Sequence, residues 1–304
     1  MKLVAFAALL FAPLSAQQEE TFRVDVKLVR VIATVKNVKG EPVGDLKKTD
    51  LKLTDNGALQ EIALFERQTA QPLSVAVLLD ISGSTAKDMK IQTAAVSRFI
   101  SALFKEGNPD DKAALWAFNW QISEEVHWTR NASRFPAAMK RLKAEAGTAL
   151  YDAIYVAAND LDDRDGRHVI VVVSDGGNTF SNKDFHAARE AAHKADAVIY
   201  PVITTPITNE VGRNTGGEHA LTTFAGETGG KVFAPGAEGL DQAFADILKD
   251  LRTQYLIGYY PRKVPLTKNR FHTLELRTVN PDLHVVSRTG YYGDAEPSSS
   301  SPRK

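Results

Sequence analysis

The stretch Leu73-Ser-Val-Ala-Val-Leu-Leu-Asp80-Ile-Ser82-Gly-Ser84 decides the fold of this chain. Its nearly all-apolar first part carries no charge, which is typical of a strand buried on both faces in a parallel sheet. Helical patterns over Thr85–Phe104 and Tyr151–Leu161, with another strand between them, predict an α/β unit around that strand. An acid and two hydroxyls leave the strand at alternate positions, at the carboxyl edge where open α/β sheets bind ligands.

Two later stretches add similar oxygen donors. Gly147-Thr148 opens a helical pattern, and the apolar strand Val169–Val173 ends in Ser174-Asp175-Gly-Gly177. Donors from Asp, Ser and Thr suit a hard divalent cation, Mg²⁺ before Zn²⁺. The three stretches together therefore predict a metal site at the edge of the sheet.

Each stretch taken alone has an ordinary structural explanation. Asp80, Ser82 or Thr148 could cap the amino end of a helix, because Asp, Ser and Thr are favoured there. Asp175-Gly-Gly177 could be a tight turn. Capping does not readily explain all three stretches at strand ends or helix starts, so the joint pattern favours the metal.

The three motifs together, in this order, resemble the metal-ion-dependent adhesion site of a von Willebrand factor type A (VWA) domain, over about residues 73–251. The resemblance implies a Rossmann-like α/β fold, with a mainly parallel central sheet and helices on both faces. It implies that Ser82, Ser84 and Thr148 coordinate the ion through their hydroxyls, and that Asp80 and Asp175 act largely through bound waters. The expected ion is Mg²⁺, with Mn²⁺ or Ca²⁺ as alternatives. An Asp or Glu of a protein partner would fill the open coordination position.

Other function classes are weighed against this one. A phosphatase of the haloacid-dehalogenase type needs a second acid where this chain has Ser82, and neither Ser82 nor Ser84 lies in the G-x-S-x-G of a serine hydrolase. No G-x-G-x-x-G or Walker lysine supports nucleotide binding. We therefore predict a binding protein rather than an enzyme. A scaffold domain, in which the metal only holds loops, remains an alternative, and a metal-assisted hydrolase without a visible general base is a weaker one.

The composition narrows the class further. The 304 residues include 37 Lys and Arg and 37 Asp and Glu, so no charge excess points to nucleic acid or to an anionic membrane. The chain has no cysteine, which excludes disulfides and thiolate-bound metals. The length suffices for one large or two modest domains. Composition leaves the oligomeric state open.

The amino terminus has the pattern of a secretory signal peptide. Lys2 precedes the apolar run Leu3–Ala12, and Ala16 precedes the polar stretch Gln17–Glu20. The apolar run is too short to span a bilayer as a helix. We predict that residues 1–16 are a signal peptide and that the protein is exported, to the periplasm or the extracellular space.

The segments that flank the α/β unit have the alternation of antiparallel strands. The alternation over Phe22–Val35 shifts phase at Leu28-Val29, and Asp55-Asn-Gly57 predicts a hairpin between Leu51–Leu53 and Ile62–Phe65. Three strands are predicted after the unit, over Tyr255–Tyr260, Phe271–Val279 and His284–Tyr292.

These patterns predict a domain arrangement. Segments 22–69 and 254–293 would pair into one antiparallel β module, because a lone hairpin is only marginally stable. The VWA domain, 70–253, would be inserted in it, and the Ser/Pro-rich tail 294–304 would be disordered. Alternatively, the flanking strands would pack as edges on the VWA sheet. Gln254–Pro261 and Arg288–Tyr292 also resemble an exported bacterial family of VWA-related proteins.

Overall fold

The computed structural model describes residues 28–67, 71–204, 215–236, 238–265, 267 and 269–293. The predicted signal peptide 1–16, the alternation over 22–27 and the predicted tail 294–304 lie outside these residues. Within the described ranges, none of the helices combines the length and the apolar character needed to cross a membrane.

The central unit is a five-stranded sheet in the order β7-β6-β5-β8-β9. Its strands are parallel except β7, which pairs antiparallel with β6 at one edge of the sheet. The middle strand β5 is buried at every position, as its uncharged sequence predicts. The strand bounds are β5 Leu73–Asp80, β6 Lys112–Phe118, β7 Ile122–Thr129, β8 Arg167–Ser174 and β9 Val198–Ile203.

Helices cover both faces of this sheet and form two apolar cores. One core contains buried side chains of α1, α2 and α6, and the other contains those of α3, α4 and α5. The bounds are α1 Met89–Glu106, α2 Arg134–Met139, α3 Leu150–Asp162, α4 Phe185–Lys194, α5 Thr215–Thr228 and α6 Leu240–Arg252. A 3₁₀ segment, Gly83–Asp88, joins β5 to α1, so the α-helix begins later than the sequence pattern predicts.

The flanks form a β-sandwich of two four-stranded antiparallel sheets, β12-β1-β10-β4 and β13-β11-β2-β3. Strand β1 lies between two strands from the other end of the chain, and β2 pairs with β11. Both sheets line a single apolar core. The bounds are β1 Val29–Lys36, β2 Leu51–Asp55, β3 Ala58–Gln60, β4 Ile62–Arg67, β10 Tyr255–Tyr259, β11 Phe271–Thr278, β12 His284–Ser287 and β13 Gly290–Tyr292. The predicted antiparallel module is confirmed, and the alternative of edge strands on the VWA sheet is wrong.

Three details differ from the sequence predictions. The turn at Asn56-Gly57, with φ of 47° and 80°, joins β2 to β3, whereas β4 crosses to the other sheet. The predicted strand over 284–292 is two strands in different sheets, because Arg288 and Thr289 leave the ladder to bond the end of α5. The sequence over Lys231–Phe233 also predicts a short strand, but there the structure has only a single bridge, from Phe233 to Val202.

Buried polar contacts join the two units at the carboxyl end of α6. The Tyr200 hydroxyl donates to Asp250 at 2.7 Å, and Gln254 donates to the same hydroxyl at 3.0 Å. Lys36 of the sandwich lies 3.3 Å from Asp250, and the Arg167 guanidinium donates to the Leu251 carbonyl at 2.9 Å. Helix α6 therefore passes directly into the sandwich strand β10 through a fixed polar junction.

Candidate metal centre

Asp80 is the centre of the first loop. Its side chain is fully buried, and both carboxylate oxygens accept hydrogen bonds. One accepts from the backbone N–H of Ser82 at 2.8 Å, and the other accepts from the hydroxyl of Ser174 at 2.6 Å. Because Ser174 ends β8, the second bond fixes the Asp80 loop against the neighbouring strand end.

The hydroxyls of Ser82 and Ser84 lie side by side. Their Oγ atoms are 3.1 Å apart, and neither side chain caps the 3₁₀ segment that begins between them. Adjacent ligands of an octahedral Mg²⁺, each 2.0–2.1 Å from the ion, are separated by about 2.9 Å. The observed spacing thus matches two neighbouring ligands of one ion. Ser82 is buried and Ser84 is exposed, so the pair points from the loop toward solvent.

Thr148 belongs to the second loop and is held by its backbone. Its N–H donates to the Thr179 hydroxyl at 3.0 Å, and its carbonyl accepts from the Thr179 N–H at 2.8 Å. The preceding Gly147 has φ of +84°, a conformation that favours glycine. The N-cap of α3 is Ala149, and the N–H groups of Tyr151 and Asp152 at that helix end donate to the hydroxyl of Ser181, at 3.0 and 3.2 Å, rather than to Thr148. The capping explanation of Thr148 is therefore wrong, and its hydroxyl is left for another role.

Asp175 belongs to the third loop and lies next to Thr148 of the second loop. One Asp175 oxygen accepts from the Gly177 N–H at 3.0 Å. A methyl group built on Gly177 would lie 3.2 Å from Asp175 Oδ1 and 3.4 Å from Thr148 Oγ1, so these two oxygens face the same small space. The structure therefore brings the predicted oxygens of Thr148 and Asp175 together from different loops.

Electrostatics connects the two halves of the site. Burial, opposed by hydrogen bonds from Ser174 and Ser82 and reinforced by the nearby charge of Asp175, raises the pKa of Asp80 to about 6. The described groups around Asp80 are hydroxyls, an amide and a second acid, and no cationic side chain is among them. A buried carboxylate without a cation is unfavourable, and a bound metal ion would relieve it.

Two residues that support the site were not predicted as part of it. Ser174 lies inside the quoted motif, but only the fold reveals that it donates to Asp80. Gly217 at the start of α5 packs against the Asp175 loop so closely that a methyl group built on it would lie 1.5 Å from the Gly176 carbonyl oxygen. The only sequence signal for this contact was the pair Gly216-Gly217.

The donor set selects the kind of ion. Within the described ranges, no group of three or more His, Cys, Asp or Glu side chains could hold a metal. The site instead combines three hydroxyls with two carboxyls, which suits Mg²⁺ or another hard cation and does not suit Zn²⁺. The residues present thus fit the ion that the sequence predicts.

Comparisons with known proteins agree with this fold. A family model of the von Willebrand factor type A domain matches residues 75–178. The chain is similar to the vWF domain of the type V pili tip protein Mfa5 from Porphyromonas gingivalis, with 12% identity and a TM-score of 0.50 over 60% of this chain and 95% of that one. It is also similar to an aerotolerance-related membrane protein from Bacteroides fragilis, with 21% identity and a TM-score of 0.46 over 59% and 98% of the two chains. No curated protein matches the chain.

The family match and the fold coincide on the same elements. Residues 75–178 run from β5 to the loop after β8, and so include all three loops of the candidate site. At 12% identity the similarity to the vWF domain of Mfa5 shows the fold alone. The five-stranded unit of this chain is therefore a von Willebrand factor type A domain.

Proposed function

We propose that this domain binds a divalent cation, Mg²⁺ in the first place, and engages an Asp or Glu of a protein partner through it. The proposal is supported by one arrangement at the carboxyl edge of the sheet. Ser82 and Ser84 follow the buried Asp80 with their hydroxyls 3.1 Å apart, oxygens of Thr148 and Asp175 face one small space, and the charge of Asp175 acts on Asp80. When bound, the ion would supply an electrophilic position for a carboxylate.

The residues divide this work in a specific way. Ser82, Ser84 and Thr148 would hold the ion directly, and because hydroxyls carry no charge they leave it short of negative charge. Asp80 and Asp175 would balance the charge largely through bound waters, from outside the direct coordination shell, with Asp80 kept in place by Ser174. An incoming carboxylate would then be the charged group in direct contact with the ion, which favours a partner acid over a neutral group.

The proposed role is binding rather than catalysis, because uncharged hydroxyls leave the ion free to accept a carboxylate. Two of the described histidines have partners away from the site, His127 with Glu124 and His272 with Asp55. Hydrolysis at the ion would require a general base within hydrogen-bond reach of a bound water.

We propose that the protein is exported, as its amino-terminal sequence indicates, and that the partner lies in the cell envelope or outside it.

Calorimetric titration with Mg²⁺, followed by binding of a carboxylate-bearing peptide, tests the proposal. Ser84→Ala should weaken Mg²⁺ binding, whereas Ser101→Ala, which changes another exposed serine, on α1, should leave it unchanged. If Mg²⁺ and Mn²⁺ give no heat and no change in melting temperature, the site does not bind metal. If the metal binds but no carboxylate ligand follows, the scaffold alternative takes the place of the partner-binding one.

A further inference from the structure

Two exposed aromatic side chains border the candidate metal centre. Trp120 is 46% exposed and Phe180 is 58% exposed, and Tyr260 in the sandwich is the other strongly exposed aromatic among the described residues. Exposing the apolar surface of an aromatic ring to water is unfavourable in free energy, and burial against a partner would remove that cost. Their placement beside the site therefore calls for an explanation in terms of binding.

Trp120 and Phe180 both pack against Gly147, the residue before Thr148. A methyl group built on Gly147 would lie 2.8 Å from a ring carbon of Phe180 and 2.9 Å from Cβ of Trp120. A side chain at position 147 would therefore collide with both residues. The aromatic pair and the Thr148 hydroxyl are thus parts of one continuous surface.

Backbone hydrogen bonds fix both aromatic residues to the Thr148 loop. The Ala149 N–H donates to the carbonyl of Asn119, just before Trp120, at 2.6 Å. The Phe180 N–H donates to the Thr148 carbonyl at 3.0 Å. The indole N–H of Trp120 also donates to Glu145 at 3.2 Å, which orients the ring. Rigid aromatic anchors of this kind lose little conformational entropy on binding.

We propose, resting on the proposed function, that Trp120 and Phe180 form the apolar half of the ligand site and that the partner segment carries a large apolar residue next to its acid. Successive residues of an extended segment advance about 3.3 Å, so an apolar side chain one or two positions from the acid can reach the ring pair. The Glu145 carboxylate at the indole disfavours a second acid at that position. The partner motif is therefore one acid beside an aromatic or large aliphatic residue.

The test uses a displayed library of random heptapeptides, bound to the full chain in Mg²⁺ and eluted with EDTA. Eluted peptides should be enriched in an acid with an aromatic or large aliphatic neighbour. Trp120→Ala and Phe180→Ala should each weaken the selected peptides about tenfold or more, the scale of an interface hot spot. Both variants should keep the Mg²⁺-induced rise in melting temperature, which shows that the metal site is intact.

The matched control is Tyr260→Ala, since Tyr260 is 46% exposed, as Trp120 is, but belongs to the sandwich flank. Peptide affinity should be unchanged in that variant. The inference is overturned, with the proposed function left standing, if eluted peptides share only an acid or bind both ring variants as tightly as the original protein. A peptide bound through the metal should be eluted by EDTA and should not bind Asp80→Ala. If the library contains no such peptide, both the proposed carboxylate binding and the aromatic motif are wrong.

Discussion

At the scale of single residues, the site depends on a buried carboxyl that the fold alone does not neutralise. Asp80 accepts a backbone N–H and a hydroxyl, which offset part of the cost of burial, yet its pKa is still raised to about 6. A turn at this position does not require a charged side chain. A bound cation, in contrast, would favour the ionised form of Asp80, which is the reason to expect a metal site here.

Asp80→Asn should stabilise the metal-free protein at neutral pH by on the order of 1 to 2 kcal/mol, because it removes a buried charge. The pKa of Asp80 is raised from 3.8 to about 6 on folding, so its ionised form opposes folding above pH 6. The destabilisation by ionised Asp80 disappears as the pH falls from 6 toward 3.8. In that range Asp80 binds a proton in the folded state but remains ionised in the unfolded state.

Melting curves with and without Mg²⁺ check this expectation. The original protein should gain stability relative to the variant as the pH falls through that window, and only the original should respond to Mg²⁺ at neutral pH. A variant that is less stable than the original in EDTA would show that the Asp80 charge contributes to the fold itself.

Thr148→Ala should affect ligand binding more than folding. The hydroxyl caps no helix, so its loss should lower the free energy of unfolding by no more than about 1 kcal/mol. The affinity for a Mg²⁺-dependent peptide should fall by more than the roughly fivefold that 1 kcal/mol represents. Thr93→Ala on α1, where the hydroxyl only bonds its own helix, is the control. Equal peptide affinity for the two variants would remove Thr148 from the coordination set.

At the scale of elements, helix α5 packs against the Asp175 loop and supports it. Its first turn contacts the loop through the backbone of Gly217, with no room for a side chain. The loop is held on its other side by the bond from Gly176 to Ser174, at 3.0 Å. The position of the Asp175 loop thus depends on an element that begins about forty residues later in the chain.

Two glycines of the same helix provide a matched pair of variants. Gly217→Ala forces a methyl group against the Gly176 carbonyl and should cost about 1 to 3 kcal/mol of stability, together with weaker Mg²⁺ binding. Gly226→Ala, where a methyl group meets nothing within 4 Å, should raise stability by up to about 1 kcal/mol. Urea unfolding and Mg²⁺ titration of both variants measure the difference. Unchanged Mg²⁺ affinity in Gly217→Ala would mean that the Asp175 loop keeps its position without this contact from α5.

At the scale of the whole molecule, the sandwich needs both ends of the chain. Strand β1 has both its neighbours, β10 and β12, from the carboxyl-terminal flank, and β4 pairs with β10. The VWA sheet, in contrast, takes all five strands from 73–203. Without residues 254–293, β1 and β4 would lose these pairing partners.

A chain that ends at Thr253 should therefore lose its sandwich and keep its VWA domain. Hydrogen exchange should show no protection over 29–67 and retained protection over β5, β6 and β8. The VWA domain should be less stable than in the full chain, because Asp250 remains beside Tyr200 without Gln254. Unchanged protection over 29–67 in the shortened chain would show that the amino-terminal flank folds alone.

The sequence by itself determined the local character of each segment. Uncharged apolar runs identified β5 and β8, and period-two alternation separated the sandwich flanks from the α/β unit. The motif loops also follow from local pattern, because they leave predicted strands or open predicted helices. These features rest on neighbouring residues, which the sequence displays directly.

The tertiary structure alone decided which distant segments meet. Three features depend on contacts between residues far apart in the chain. Strand β4 leaves its hairpin for the other sheet, 284–292 is divided between two sheets, and Trp120 and Phe180 both pack against Gly147. Ser174 donating to Asp80 is a contact of the same kind. Such contacts depend on packing and on the closure of long loops, which leave no periodic signal in the residues themselves. The sequence therefore determined the elements and the donors, and the fold decided how the donors are held and what surface surrounds them.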